Sequence, residues 1–473
     1  MRARHVVLVA LAPLALSGCA LGPAIVTPND RLPAAFEAAS GEAQGIDLGR
    51  WWRAYDDPEL SGLVETALAQ APDARIAEAR LREALAVRQG ALAGFGPQGG
   101  ITASAVRTDT TLLTGVTTLS LGPGTTPITV SSTGASNTYQ AGLDVSWEID
   151  LFGRARATRK TANGDLAAAR FEYAAARASL AANVADLLFQ VRGFGAAAAT
   201  ARETAAVERQ LLAVARDRAG AGVDRQADLA AVEAEVETAE ARVEGFDDQA
   251  VAARRGLLVL SGRGAAPLAA LQSTTALVPP PPAPRTAPGV LLALRPDVRE
   301  AAARLVAASG RLDLDERALF PRFTLLPGLG ATSGPGLVGQ TATSLWSIGV
   351  GFAQPVLDLP RLRTEIRAQG ARADQAALIY EKTVQTAYGE AETALAGLKT
   401  DEARAARLAR AQAEAHRALD AARDRYTAGI EELSAVLVFE RTWRDADAAL
   451  VDARLQALRR SVQVYKALGG GWS

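Results

Sequence analysis

The stretch TYQAGLDVSWEIDLFGRARATRK, residues 138–160, decides the fold. Its first half alternates: Tyr139, Ala141, Leu143, Val145 and Trp147 are apolar or small, and Gln140, Gly142, Asp144, Ser146 and Glu148 lie between them. Period two with one apolar and one polar face predicts a β-strand. The motif Asp150-Leu151-Phe152-Gly153-Arg154 then turns the chain, and no Pro occurs from there to Gly222. In that segment Leu180, Val184, Leu187, Val191 and Phe194 fall at alternating steps of four and three, the seam of a coiled coil. A single helix from Arg154 to Ala221 would be roughly 100 Å long at about 1.5 Å per residue. An ordinary globular core needs no helix of that length.

The pattern occurs twice. Arg361 to Gly429 repeats Arg154 to Gly222 at an offset of 207 residues (361 − 154). Both copies end in a matching corner, Arg218-Ala219-Gly220-Ala221-Gly222 and Arg425-Tyr426-Thr427-Ala428-Gly429. Upstream, Pro72-Asp73 and Pro296-Asp297 open matching helices, with Asp73 and Asp297 offset by 224 residues (297 − 73). The excess lies in the hairpins, because the first tip, Asp109 to Ser136, is longer and rich in Thr, Ser and Gly. Each half therefore reads helix, β-hairpin, long helix, long helix. The fold class is mainly α with a small β part.

Four strands are expected, at about 101–107, 138–148, 323–331 and 344–354. Alternation of this kind also fits a half-buried sheet in water. Four strands cannot close a barrel in lipid, where an open edge is not tolerated. Strands that span a membrane here would need several chains, and three chains would supply twelve. The returning helices carry heptad seams at Leu229, Val232, Val236, Ala239, Val243 and Phe246, and at Val436, Phe439, Trp443, Ala446, Leu450, Ala453 and Ala457.

At the N-terminus Arg2 and Arg4 precede an apolar run from Val6 to Leu16, which predicts a signal peptide over 1–18. Leu16-Ser17-Gly18-Cys19 is similar to a bacterial lipobox, so Cys19 is the expected lipidation site; it is the sole Cys, which excludes an internal disulfide. The net charge of −1 gives no global field for nucleic acid. Ala is abundant and aromatics are 5% of the chain, a composition suited to closely packed helices. Chemistry finds little support. The two His are His5 in the signal and His416 in a helix near Arg410 and Arg417, no metal-ligand spacing occurs, and Gly328-Leu329-Gly330 sits in a strand rather than before a helix. No enzyme, cofactor or metal is expected. Pro279 to Pro284 reads as a stiff linker or as a partner-binding segment.

These pieces add up to a resemblance. Trp51-Trp52 with Asp57-Pro58, the Asp150 to Arg154 motif, Arg295-Pro296-Asp297, Phe320-Pro321 and Tyr426-Thr427-Ala428-Gly429 resemble, in order and spacing, the outer-membrane efflux channels of the TolC and OprM type, in the lipoprotein, NodT-like branch. The resemblance implies a homotrimer anchored in outer-membrane lipid, with a twelve-stranded β-barrel continued by a periplasmic α-helical barrel. It also implies a passive conduit opened by a periplasmic adaptor and an inner-membrane transporter. The different-class alternative is a lipid-anchored coiled-coil scaffold or adaptor without a pore; an anchored hydrolase lacks a visible nucleophile and base pair.

The expected organisation is a signal peptide (1–18), a lipidated arm and equatorial segment (19–72), a first repeat (73–278; hairpin 98–148, helices 153–221 and 225–262), a proline-rich linker (279–294) and a second repeat (295–473; hairpin 320–354, helices 360–428 and 431–468). By the same resemblance the closed inner tip lies at the two corners, 219–232 and 426–438, with Asp224, Asp228, Tyr426, Glu431 and Glu432 as gate candidates. The second corner departs from the TolC pattern. Ala435 and Val438 stand at its paired acidic positions and Glu431 at its gate Arg position.

Overall fold

Asp150 starts the first long helix by capping it, since its carboxylate accepts from the N–H groups of Arg154 (2.7 Å) and Ala155 (3.1 Å). Gly153 lies between cap and helix at φ +80°, a left-handed conformation that a side chain would strain. Those two requirements explain why the motif holds Asp and Gly at these places. A computed structural model of the chain describes residues 24–38, 47–111, 117–119, 128–130, 134–221, 226–271, 273–284, 286–336 and 339–470. The signal segment 1–18 and Cys19 lie outside the described residues.

The order is a 3₁₀ helix (Leu48–Tyr55), α1 (Pro58–Gln70), α2 (Pro72–Ala93), β1 (Gln98–Thr110), β2 (Thr117–Leu119), β3 (Ile128–Val130), β4 (Gly134–Ile149), α3 (Arg154–Gly220) and α4 (Gln226–Leu260). The second half adds α5 (Leu291–Leu294), α6 (Pro296–Arg317), β5 (Arg322–Gly336), β6 (Gly339–Ala353), α7 (Leu359–Thr427) and α8 (Leu433–Ala467). The duplication is plain in the lengths. α3 and α7 have 67 and 69 residues, and α4 and α8 have 35 each. The strand ends differ from the expected bounds by one to five residues, nearly all of them as extensions; β6 alone stops one residue short, at Ala353. Between Trp51 and Leu60 one helix ends and another begins. Asp56 adopts φ +49° and ends the 3₁₀ turn, and Asp57 then caps α1 separately.

The chain divides into two compact units. The first comprises Leu85–Gly164 and Val306–Gln375 with a short N-terminal piece. It holds an antiparallel sheet of order β1-β4-β5-β6, and β2 pairs with β3 in a separate two-stranded ladder. Register aligns one apolar face across all four strands. Ile101 is opposite Leu143, Leu143 opposite Leu329, and Leu329 opposite Trp346; nearer the helices, Trp147 meets Leu325, Ile149 meets Phe323, and Phe323 meets Phe352. The other face carries Thr102, Gln140, Asp144, Thr324, Thr332 and Ser347 with several Gly.

In the same unit α3 and α6 approach almost backbone to backbone. A Cβ on Gly164 would lie 2.7 Å from the Ala307 nitrogen, and one on Gly310 would lie 2.7 Å from the Thr161 nitrogen. Lys160 then reaches Ser309 (2.6 Å) and Asp313 (2.8 Å). Gly310→Leu should force these helices apart and destabilise the unit by about 1–3 kcal/mol or more. A lowered melting temperature in detergent checks this, and an unchanged one would contradict the close approach.

The second unit comprises Val26–Ala84, Asp165–Leu305 and Ala376–Ser473. Its core is built around Trp51, which is fully buried and stacked on Tyr465 at 5.5 Å, with Leu60, Val64, Leu188, Phe189, Leu257 and Leu258 around it. Arg192 on α3 is buried and binds both Asp57 and Glu59, the latter at 2.7 Å. Arg295 ties the start of α6 to its neighbours through Asp297 (2.6 Å), Glu390 (2.7 Å) and the carbonyl of Ala467 (3.1 Å). The two sequence motifs containing Asp57 and Arg295 are therefore ion-pair anchors. The proline run is packed rather than free, because Tyr465 donates to the Pro282 carbonyl at 3.3 Å and Ala283 lies against a core cluster.

Candidate functional site

Two places are candidates for function. In the first unit the apolar sheet face is left exposed among the described residues. Trp346 is 74% exposed, and Ile101, Leu329, Ile348, Val350 and Phe352 are exposed with it. Among the described residues β1 and β6 each leave one edge unpaired. A contiguous exposed apolar face of this size marks a surface that meets lipid or protein. From Phe323 to Ala331 the face extends eight residues along β5, about 27 Å at ~3.4 Å per residue. Tilted, that covers most of the roughly 25 Å apolar band of a membrane barrel. Aromatic rings gather at the helix-proximal end. Phe152 stacks on Phe320 at 5.2 Å, Phe323 meets Phe352 edge-on at 5.4 Å, and the Trp147 indole donates to the Phe95 carbonyl at 3.0 Å. This is the composition of an interfacial girdle. Among the described residues no helix is long and apolar enough to cross a membrane.

In the second unit the corners between long helices form the other place. α7 ends in a Schellman turn. Gly429 adopts φ +74°, Ile430 N–H bonds the Arg425 carbonyl at 2.9 Å, and Gly429 N–H bonds the Tyr426 carbonyl at 2.9 Å. Tyr426 does not stand out into solvent. It is 3% exposed, among Leu212, Ala215, Val232, Val236, Leu419, Leu433 and Val436 from α3, α4, α7 and α8. The Arg218 guanidinium, from the last turn of α3, lies 4.6 Å from the Tyr426 ring centre. Glu431 pairs with Arg425 at 2.9 Å. Glu432 is exposed at the N-cap position of α8, with the Ser434 hydroxyl 3.4 Å from its carboxylate. Asp224 lies outside the described residues; Asp228 lies in α4, but its side chain is outside what is described. Of the five gate candidates, Tyr426, Glu431 and Glu432 are thus placed on one corner.

Arg218 was not among those candidates. Its signal is in the repeat, because Arg218 and Arg425 are the same position of the two copies, 207 residues apart. The first uses that position to cover Tyr426, and the second uses it to hold Glu431. The position after it is Ala219 in one copy and Tyr426 in the other, so one ring serves both corners. The heptad seams point inward as expected at Val232, Val236, Ala239, Val436, Trp443, Leu450, Ala453 and Ala457, whereas Phe439 is 39% exposed.

Comparison with known proteins identifies the family. A sequence profile described as Outer membrane efflux protein matches residues 63–263 and 287–470. The chain is 30% identical to the pyoverdine export outer membrane protein OpmQ of Pseudomonas aeruginosa, over 97% of this chain and 95% of that one. It superposes on the solved outer-membrane channel OprN with a TM-score of 0.79 at 29% identity, covering 96% of this chain and 100% of that one. The Campylobacter jejuni CmeC outer membrane channel shares the fold, with a TM-score of 0.81 at 21% identity, 96% of each chain being covered. On these grounds the chain belongs to the outer membrane efflux protein family.

Proposed function

We propose that three copies of this chain complete a twelve-stranded barrel, and that the corners of their long helices close its periplasmic end. The protein is an outer-membrane efflux channel of the tripartite type. The observation that carries the trimer is the sheet: four strands, two unpaired edges and one uncovered apolar face. In lipid each unpaired backbone group costs several kcal/mol, so neighbouring copies must supply the missing partners. In this reading residues 1–18 are removed, Cys19 carries the lipid anchor, residues 19–72 form the arm and equatorial segment, and 73–278 and 295–473 are the two repeats. A periplasmic adaptor and an inner-membrane pump engage the helical part and drive the conduit, which performs no chemistry of its own.

The gate reading rests on the second corner. Tyr426 sits where all four long helices meet, Arg218 covers it, and Glu431 and Glu432 follow it in the same corner; Asp224 and Asp228 remain candidates by sequence alone. Ringed carboxylates favour cations by Coulomb attraction. Planar-bilayer recording of membrane-extracted trimer tests both levels. Wild type should give small conductance steps, and Tyr426→Ala should enlarge them. A monomer by mass, or a membrane without steps, would remove the channel in favour of a pore-less scaffold. Equal steps in the variant would remove Tyr426 from the gate.

A further inference from the structure

Above the corners, a second cluster of charges is sealed inside the helices. Glu208 on α3 and Glu440 on α8 are each 1% exposed. Glu208 stands twelve residues before the end of α3, about 18 Å from the corner at ~1.5 Å per residue. The groups facing this pair come from the other helices as well as their own. Arg444 on α8, itself buried, gives its Nη1 to Glu208 (3.1 Å) and to Glu235 on α4 (2.9 Å). Arg423 on α7 reaches Glu440 at 3.3 Å. The cluster thus joins all four long helices, and with them both repeats.

The charges do not balance. Three carboxylates, Glu208, Glu235 and Glu440, face two guanidiniums, Arg423 and Arg444. The Oε2 atoms of Glu208 and Glu440 are both out of contact with water, and no N–H or O–H group among the described residues reaches either. The two carboxyl groups are nonetheless within hydrogen-bonding reach of each other. Two buried carboxylates in contact repel, whereas one proton between them turns the contact into a hydrogen bond and leaves two negative charges for two positive ones.

We propose that Glu208 and Glu440 share one proton, and that this proton is part of the lock that holds the four helices together above the tip, so that its loss favours the open channel. The proposal rests on the channel reading above, because opening is the event that would hydrate the pair. Burial, and then the neighbouring Glu440, push the Glu208 carboxyl up to about 7. Burial pushes Glu440 up in the same direction, with Arg423 and Arg444 opposing it. A carboxyl raised in the packed state contributes its full stabilisation below the ordinary value of about 4.5 and loses it as pH rises through about 7. The helices are therefore locked in acid and loosened near neutrality and above. Arg209 with Glu240 (2.7 Å) and Arg216 with Glu233 (2.9 Å) pair off on the exposed surface of the same helices and do not enter the cluster.

The test is hydrogen exchange on the full-length lipidated protein in nanodiscs, read at the amides of residues 204–212 and 436–444. After correction for the intrinsic pH dependence of exchange, wild-type protection should fall about twentyfold between pH 5.5 and 7.5 and level off above, given a shift from 4.5 to about 7. Glu208→Gln keeps a hydrogen-bonding amide and removes the titration, so its protection should hold nearly constant across that range. Glu440→Gln should do the same and serves if the first variant misfolds. Flat wild-type protection overturns the shared proton, as does a wild-type profile retained in both variants. Bilayer recording adds the functional half. Open probability should rise with pH in wild type and stay low in Glu208→Gln; a rise in both removes the proton from gating. Absence of any conductance would defeat the channel reading instead, and the exchange profile would still decide whether the proton is there.

Discussion

Arginine at both Leu329 and Ile348 is expected to abolish assembly in the outer membrane. Both side chains lie on the uncovered apolar face, near the middle of the β5–β6 ladder. A guanidinium on the lipid side of a barrel costs about 2–4 kcal/mol near the bilayer midplane. Two per chain and three chains give six, so the summed penalty is roughly 12–24 kcal/mol, beyond the stability of a typical fold. The face across the strands provides the control. Thr332→Arg with Ser347→Arg places the same charges on the polar face, toward the lumen, and should leave assembly intact. Membrane fractionation and mobility of unheated samples on a denaturing gel would read both. Equal trimer from the two pairs would show that neither face meets lipid.

Arg192→Met is expected to be the most damaging single substitution in the helical unit. The arginine is buried, and its partners Asp57 and Glu59 are themselves mostly shielded. Removing one side of such a pair leaves uncompensated charge, typically worth about 3–5 kcal/mol. Asp57 also caps α1 through the Leu60 N–H at 3.1 Å, so its displacement frees a helix start as well. Burial alone would raise the Asp57 carboxyl; the hydrogen bond from Arg192, the Leu60 and Glu59 N–H groups and the guanidinium charge outweigh it and hold it below the usual carboxylate range. Its stabilisation is then present above about pH 4 and lost as acid protonates it. The measurements are the apparent melting temperature and its acid limb. Adding Asp57→Asn and Glu59→Gln to the arginine variant should recover part of the loss, because the stranded charges are gone. A triple variant no better than the single one would place the damage in packing rather than charge.

Much of this was legible in the residues. Period-two alternation from Tyr139 to Trp147 located a strand with one apolar face, and the duplication gave the order of elements. The Asp150 and Gly153 positions could be read as a turn, although their separate jobs as cap and left-handed link emerged only in three dimensions. Heptad seams fixed which side of α4 and α8 turns inward, but a seam does not name its partner. Glu208 and Arg444 are 236 residues apart and meet only because α3 lies against α8. In sequence each reads as an ordinary charged helix residue. Arg218 escaped for a related reason: it acts on a ring from the other repeat. The Ala and Gly content suggested close packing, yet only coordinates could pick Gly164 and Gly310 from the many glycines as sites where no side chain fits.

The unequal hairpins have a consequence for the symmetry of an assembled barrel. β5 and β6 pair out to Gly336 and Gly339, with two residues of sequence between them, whereas β1 and β4 part at Thr110 and Gly134 with a longer sequence between that is rich in Thr, Ser and Gly. In a trimer the rim would alternate three long tips with three short ones, so the sixfold repetition of the hairpins is reduced to threefold at the end of the barrel away from the helices.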